Sequence, residues 1–290
     1  MYKKLIFVGG TARSGSTLLD LILANDPKAM SLGEIHALFR PTRKHHFEEL
    51  KSLKEDPVWS EILKGGKKNL FPNLIKYFPD VDIFVDSSKD PFWFRFHEKN
   101  NKDKYQIKHV LIYKSPEELA KSFIKRGKNS AWINTYLHYH KTYFGLINNF
   151  RTIYYKELIV SEEELKSLCI DIGINYFNDK KNYWEKTQNS FFGSNTVKSS
   201  TSLKASKQLK ENGRSDLTYD NPFTDMEFVD EQIKNNKKIY KIFNVLKARY
   251  SSRMSFKGLK YNHLTLFILN QKAILKRTYR FFKPENYFNK

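Results

Sequence analysis

The sequence is almost free of cysteine, because Cys169 is the only one in 290 residues. A single cysteine excludes an intrachain disulfide, a zinc ribbon and a CxxC redox pair. Long apolar runs are lacking too, since none reaches the roughly 18 residues that a membrane span needs. The apolar run at 5–8 is too short for a signal peptide. We therefore expect a cytoplasmic protein.

Acidic residues are also scarce, since 31 Asp and Glu stand against 51 Lys and Arg, a formal net charge of +20. Arginine is scarce within that excess, which consists of 40 lysines and 11 arginines. Proteins that read bases use arginine for bidentate contacts, so we expect no nucleic acid as a partner. Most of the charge is interpreted as a solvated lysine-rich surface, and the rest as attraction for anionic ligands or surfaces.

Core-forming residues are plentiful, at 40% hydrophobic and 15% aromatic. Short apolar runs separated by helical segments predict five strands, at 5–8, 29–32, 81–85, 107–113 and 152–155. This alternation predicts an α/β domain with a parallel sheet flanked by helices. Ligands of such sheets bind beyond the carboxyl ends of the strands, so functional residues should follow strands.

The chain divides into a predicted domain at 1–252 and a basic tail at 253–290. Helices are expected over 162–172, with Cys169 on its apolar stripe, and over 225–250. Residues 187–222 are rich in small polar residues and lack periodicity, which predicts a long loop that is functional or disordered.

The tail carries nine basic residues and one Glu, a net charge of +8. Its helical spacing places five apolar residues on one face, namely Leu264, Phe267, Ile268, Ile274 and Leu275. Three interpretations are open: the helix packs on the domain, lies on a membrane surface, or binds an acidic acceptor. Packing is favoured because the apolar face is short.

A glycine-rich segment, Gly10-Thr-Ala-Arg-Ser-Gly-Ser-Thr17, follows the first predicted strand and precedes a helix. It matches the phosphate loop GxxxxGK[ST], except that Ser16 stands where the lysine should be. Backbone N–H groups of such a turn surround an anion at a helix N-terminus. A nucleoside triphosphatase needs that lysine and a carboxylate for Mg²⁺, so a shorter anionic donor held by Arg13 and hydroxyls, without metal, is favoured.

The segment Thr11-Ala-Arg-Ser-Gly-Ser-Thr-Leu-Leu also resembles the 5′-phosphosulfate loop, PRSGTTLL, of sulfotransferases that use 3′-phosphoadenosine 5′-phosphosulfate (PAPS). Ala12 replaces the usual Pro, and Ser16 replaces a Thr. The resemblance implies a P-loop-like α/β fold, PAPS as co-substrate and adenosine 3′,5′-bisphosphate (PAP) as product. The loop residues that it assigns to the donor are Thr11, Ala12, Arg13, Ser14, Gly15, Ser16 and Thr17.

A second segment resembles the family's 3′-phosphate motif. Lys114 follows the fourth strand, Ser122 comes eight residues later and Arg126 twelve, the last as in tyrosylprotein sulfotransferases. Lys114 replaces the usual Arg and offers a point charge rather than a fork. The alternative is a solvated basic helix.

Two further segments extend the resemblance. Ile153-Tyr-Tyr-Lys-Glu-Leu is similar to the family's "RYEDL", which implies that Tyr155 contacts the nucleotide, although an ordinary core aromatic is an equal alternative. Residues 192–198 resemble the loop that closes over the adenine, which includes Lys198.

Transfer of a sulfuryl group to a hydroxyl needs a base, cations at the leaving phosphate oxygen, and in-line geometry. Ser31-Leu-Gly-Glu34-Ile-His36 follows the second strand and resembles the family's "GE" segment, which implies Glu34 as the base; His36 is the second choice. Asp86-Ser-Ser-Lys89-Asp-Pro-Phe92 resembles "NKDPF", so Lys89, with Arg13 beside it, is assigned to the bridging oxygen. A helix-capping Glu and an exposed Lys are the alternatives.

The leading hypothesis is a PAPS-dependent sulfotransferase whose acceptor carries a hydroxyl on a carbohydrate, a phenol or a small alcohol. A P-loop kinase or triphosphatase is the first alternative, and a non-catalytic nucleic-acid-binding protein is the second. No metal is expected, because none of the eight His lies in a ligand pattern. An aromatic run at 132–144 is interpreted as core rather than as an acceptor platform.

Overall fold

The computed structural model describes residues 3–125, 131–186, 191–192, 227–251 and 256–282. Its sheet has the strand order β2-β3-β1-β4-β5-β6. The strands are β1 (Lys4–Gly9), β2 (Ala29–Gly33), β3 (Ile83–Asp86), β4 (Gln106–Tyr113), β5 (Phe150–Tyr154) and β6 (Tyr250–Ser251). Strands β1 to β5 are parallel and β6 is antiparallel to β5. The predicted α/β class and all five predicted strands are confirmed; the two-residue β6 was not predicted.

Helices cover both faces of this sheet. They are α1 (Ser16–Leu23), α2 (His36–Phe39), α3 (Lys44–Glu55), α4 (Pro57–Lys64), α5 (Gly66–Tyr77), α6 (Pro91–Asn101), α7 (Pro116–Ile124), α8 (Ala131–Leu146), α9 (Tyr155–Val160), α10 (Glu162–Ile172), α11 (Glu227–Lys234), α12 (Lys237–Lys247) and α13 (His263–Phe282). The single helix expected over 225–250 is wrong, because α11 and α12 are separated at Asn235 and Asn236. Asparagine is a poor helix former, which accounts for the interruption.

The core consists of two apolar layers, one on each face of the sheet. Successive residues of β1 alternate between them: Leu5 and Phe7 face one layer, and Ile6 and Val8 face the other. A strand that is buried on both faces has no polar alternation, which explains the continuous apolar run in the sequence. Cys169 is buried in the second layer, and burial raises the pKa of its thiol to about 11, as expected of a core residue.

The tail helix α13 does not pack as expected. Leu266 is buried, and its methyl groups lie against Gly145 of α8. The five apolar residues that were expected to pack are exposed by 42 to 68%, and they are Leu264, Phe267, Ile268, Ile274 and Leu275. The preference for packing is therefore wrong for this face, because the helix contacts the domain through a different side.

Two other sequence expectations have limited structural counterparts. Of the predicted loop at 187–222, only residues 191–192 are among those described. Over the described part of the chain, no helix combines the length and apolar character required to cross a membrane.

Candidate functional site

The turn between β1 and α1 depends on its glycines. Gly15, the N-cap of α1, has a left-handed backbone with a φ of 99°. A Cβ atom there would lie 2.7 Å from Cε2 of Tyr155. A Cβ atom on Gly10 would lie 2.9 Å from the carbonyl oxygen of Ile112. Both positions therefore have room only for glycine.

The same turn has the features of an anion cradle. No side chain in the described part of the chain caps the N-terminus of α1. The Oγ of Ser14 is buried and has no hydrogen-bond partner among the described residues. A buried polar group normally has a partner, so this hydroxyl fits a ligand oxygen. An uncapped helix N-terminus beside it fits a phosphate or a sulfate.

Three predicted residues from other parts of the chain lie at this turn: Ser122, Lys114 and Tyr155. Arg13 Nε donates to Ser122 Oγ over 3.5 Å. Lys114 Nζ lies 4.1 Å from the centre of the Tyr155 ring, and that ring covers Gly15. Burial, together with the charge of Arg13, lowers the pKa of Lys114 to about 8. Two cations and a hydroxyl thus lie at one place, which suits a dianionic phosphate.

Local sequence explains how Lys114 and Ser122 reach this place. Ser115 and Glu118 form a reciprocal capping box, and Pro116 occupies the first turn of α7. The helix therefore begins directly after Lys114, at the carboxyl end of β4. Arg126 and Lys198, the other predicted donor-binding residues, lie outside the described residues.

The predicted base and the predicted leaving-group cation form an ion pair. Lys89 Nζ lies 2.5 Å from Glu34 Oε1, and both side chains are about one fifth exposed. Burial alone would raise the pKa of Glu34, but Lys89 outweighs it, with contributions from His36 and Arg43. The pKa of Glu34 is therefore below its ordinary value, and the carboxylate is ionised at neutral pH.

The second candidate base is attached to the same turn. The backbone N–H of His36 donates to Ser88 Oγ over 3.2 Å, one residue before Lys89. The structure thus brings Glu34, Lys89 and His36 together. Glu34 contacts Lys89 through an ion pair, whereas His36 is linked to this turn through its backbone N–H.

A buried carboxylate that the sequence did not identify holds the turn of Lys89. Asp86 Oδ1 accepts from the backbone N–H of Ser88, and its Oδ2 accepts from Trp93 Nε1, each at 2.8 Å. Burial raises the pKa of Asp86 to about 6. Lys89 itself has a left-handed backbone, with a φ of 59°. The feature of the sequence that could have indicated this role is the position of Asp86 at the end of a predicted strand.

Two of the predicted cations have strained backbones. Among the described residues other than glycine, four have positive φ angles, and two of these are Arg13 and Lys89. Such conformations cost roughly 1–3 kcal/mol and persist only where the surroundings fix them, often in functional sites. Both residues follow parallel strands, β1 and β3, that end at the same edge of the sheet.

Two aromatic contacts around the site were also missed. The hydroxyl oxygen of Tyr139 accepts the N–H of Gly10 over 2.7 Å, so one member of the aromatic run touches the phosphate loop. The carbonyl oxygen of Phe191 accepts the N–H of Glu34 over 2.7 Å, and the Phe191 ring packs on Trp59. Most of the run is core as expected, including Trp132, Tyr136, Tyr143 and Phe144, whereas His138 is exposed. Helical spacing alone did not separate Tyr139 from these neighbours.

The order of the strands brings these groups into one row. Strand β1 lies between β3 and β4, β2 lies outside β3, and β5 lies outside β4. The carboxyl ends of the strands are consequently followed, in this order, by Glu34, Lys89, the glycine-rich turn at 10–17, Lys114 and Tyr155. In the described ranges, no group of three or more His, Cys, Asp or Glu could hold a metal ion.

Comparison with known proteins identifies the fold. No protein-family model and no curated protein sequence matches the chain. The solved sulfotransferase domain from the Synechococcus PCC 7002 olefin synthase matches with a TM-score of 0.51 and 16% identity, over 81% of this chain and 96% of that one. The sulfotransferase domain from the curacin biosynthetic pathway matches with a TM-score of 0.49 and 16% identity, over 80% of this chain and 98% of that one. The first likeness agrees with the resemblance of the motifs, and the chain has the fold of a sulfotransferase domain.

Proposed function

We propose that this protein transfers the sulfuryl group of PAPS in line to a hydroxyl of an acceptor. The observation that carries the proposal is the row of groups at one edge of the sheet. A phosphate loop without its lysine lies between a Glu–Lys pair on one side and two cations with a hydroxyl on the other. The sulfotransferase fold supports it.

The donor would lie across the middle of this row. The N–H groups at the start of α1, with the hydroxyls of Ser14, Ser16 and Thr17, suit the 5′-phosphosulfate. Lys114 and Ser122 suit the 3′-phosphate. Arg13, which the resemblance assigns with Lys89 to the bridging oxygen, donates to Ser122 and therefore suits the 3′-phosphate as well. The ring of Tyr155 offers a flat apolar surface to the nucleotide.

The chemistry then needs a proton acceptor and a cation at the leaving oxygen. The acceptor oxygen attacks sulfur, the bond between sulfur and the bridging oxygen breaks, and PAP leaves. Glu34 takes the proton of the attacking hydroxyl, and Lys89 neutralises the charge that develops on the bridging oxygen.

The ion pair links these two roles. In the resting site, Lys89 lowers the pKa of Glu34 and so weakens it as a base. When the ammonium turns toward the leaving oxygen, Glu34 loses that partner and its pKa rises. The carboxylate would become a stronger base as the leaving group acquires charge.

The test is a transfer assay with a donor radiolabelled in its sulfuryl group, offered carbohydrate, phenol and small-alcohol acceptors. We expect labelled product with one of these classes, and none with Glu34→Gln or Lys89→Ala. Lys64→Ala is the matched control, because Lys64 pairs with Glu61 on the surface. Label from the γ-phosphate of ATP appearing on acceptors instead would contradict the proposal, and full transfer by Glu34→Gln would make His36 the base.

A further inference from the structure

The C-terminal helix α13 has an apolar face that nothing in the described part of the chain covers. The exposed residues are Leu264, Phe267, Ile268, Ile274, Leu275 and Tyr279. They recur at helical spacing from Leu264 to Tyr279 within the 20-residue helix, which corresponds to about 24 Å of its length. We call this face the apolar stripe.

The helix is fixed with the apolar stripe outward. Leu266 is buried against Gly145 of α8, on a different side of the helix from the stripe. His138 lies 3.3 Å from the hydroxyl of Tyr261, just before the helix begins. The described part of the chain therefore leaves the stripe exposed to water, which is unfavourable for large apolar side chains unless a partner covers them.

Positive charge borders the apolar stripe on both sides. Lys272 and Lys276 are exposed on one flank, and α13 contains no acidic residue. On the other flank lies a groove of about 590 Å³ between α6 and α13. Its polar lining includes Lys67, Lys99 and Arg95, and none of the described lining residues is acidic, although Arg95 pairs with Glu98 over 2.7 Å.

We propose that α13 docks the protein on an anionic membrane surface. The apolar stripe would enter the boundary between headgroups and acyl chains, parallel to the bilayer. The lysines on its flank and the cations of the groove would face the lipid phosphates. Each feature alone is common on protein surfaces, but an outward stripe between two basic flanks fits an anionic interface.

A second copy of this chain is the main competing occupant. Pairing two stripes would bring their basic flanks together on chains that each carry a net charge of +20. Like charges at such an interface repel, whereas anionic lipid attracts both flanks. The positive charge of the two flanks therefore favours binding to an anionic membrane over self-association.

The test is flotation of the full chain with vesicles of phosphatidylcholine, with and without phosphatidylserine. We expect about tenfold tighter binding to the anionic vesicles, with the difference lost at high salt. Leu264→Glu combined with Leu275→Glu should abolish binding, because it places carboxylates in the stripe. Lys272→Ala should weaken binding roughly fivefold.

Ile170→Glu is the matched control, since Ile170 on α10 is 68% exposed, as are Leu264 and Leu275. It should bind like the wild type, and thermal unfolding should show all variants folded. Equal binding to both kinds of vesicle, or equal loss with Ile170→Glu, would overturn the proposal. So would a wild-type dimer, detected by light scattering, that the Leu264→Glu and Leu275→Glu variant separates into monomers without any vesicle binding.

Discussion

The proposed donor half and the proposed acceptor half of the site are built in different ways. On the donor side, the loop glycines leave no room for a side chain, and the Tyr155 ring lies between Gly15 and Lys114. On the acceptor side, Glu34 and Lys89 meet through one ion pair. The donor half is thus fixed by close packing, and the acceptor half by charge.

This difference has a consequence for recognition. A closely packed site fits a ligand of one shape, so substitutions that add atoms to the donor half should impair ligand binding. An ion pair between two half-buried side chains can exchange partners during the reaction, which close packing does not allow. Mutations in the donor half should therefore reduce the binding of the nucleotide, and mutations in the acceptor half should reduce turnover.

The largest effect should come from breaking the acceptor half. Glu34→Gln and Lys89→Ala should each lower turnover by about 10³-fold, because each removes a group that acts on the transition state. The dissociation constant of PAP, measured by calorimetry, should stay within about threefold of the wild type. A large loss of PAP affinity in either variant would show that the two halves are not separate.

The next largest effect should come from Gly15→Ala. The new methyl group would lie against the Tyr155 ring, so PAP affinity should fall about 100-fold, close to 3 kcal/mol. Gly66→Ala is the matched control, since Gly66 also has a positive φ but nothing within 4 Å of the new methyl. Gly66→Ala should lose about 1 kcal/mol of stability in urea unfolding from its positive φ alone, and Gly15→Ala should lose more, because the contact with Tyr155 adds to it. Equal PAP affinity in Gly15→Ala and Gly66→Ala would show that close packing around Gly15 does not determine nucleotide binding.

Arg13→Ala should have a smaller effect on the same half. It removes a cation beside Ser122 and Lys114, and the affinity for PAP should fall about tenfold. Calorimetry with adenosine 5′-monophosphate gives the control, since that ligand lacks the 3′-phosphate. If both ligands lose affinity equally, Arg13 serves the 5′-phosphosulfate rather than the 3′-phosphate.

The smallest effect should be a pH dependence that belongs to Lys114. Burial lowers its pKa to about 8 in the free protein, and a bound dianion would raise it again. PAP affinity should thus be constant between pH 7 and about 8 and then fall about tenfold per pH unit. Lys114→Arg should flatten this profile, since arginine stays charged throughout. A wild-type profile without a break near 8 would contradict the assignment.

The parts that could be predicted from the sequence are local. Each strand of the parallel sheet contains a short apolar run, and Arg13, Lys89 and Lys114 follow such runs within a few residues. Strand order then brings Glu34, Lys89 and Lys114 to one edge, although nothing in their spacing states the distances between them.

The parts that could not be predicted depend on long-range contacts. Tyr139 and Gly10 form a hydrogen bond although they are 129 residues apart in the sequence, and nothing in the sequence around either residue predicts this contact. The role of Asp86 is visible only once Trp93 and Ser88 surround it. For α13, periodicity shows that an apolar face exists, but it does not distinguish a face that packs on the domain from one that is exposed.

The most direct test of the central claim is thermal unfolding with PAP compared with ATP plus Mg²⁺. A phosphate loop with Ser16 in place of lysine, beside Lys114 and Ser122, should prefer the 3′,5′-bisphosphate. We predict that PAP raises the unfolding temperature by several degrees at saturating concentration, and that ATP plus Mg²⁺ leaves it unchanged. Stabilisation by ATP plus Mg²⁺ without stabilisation by PAP would contradict the account.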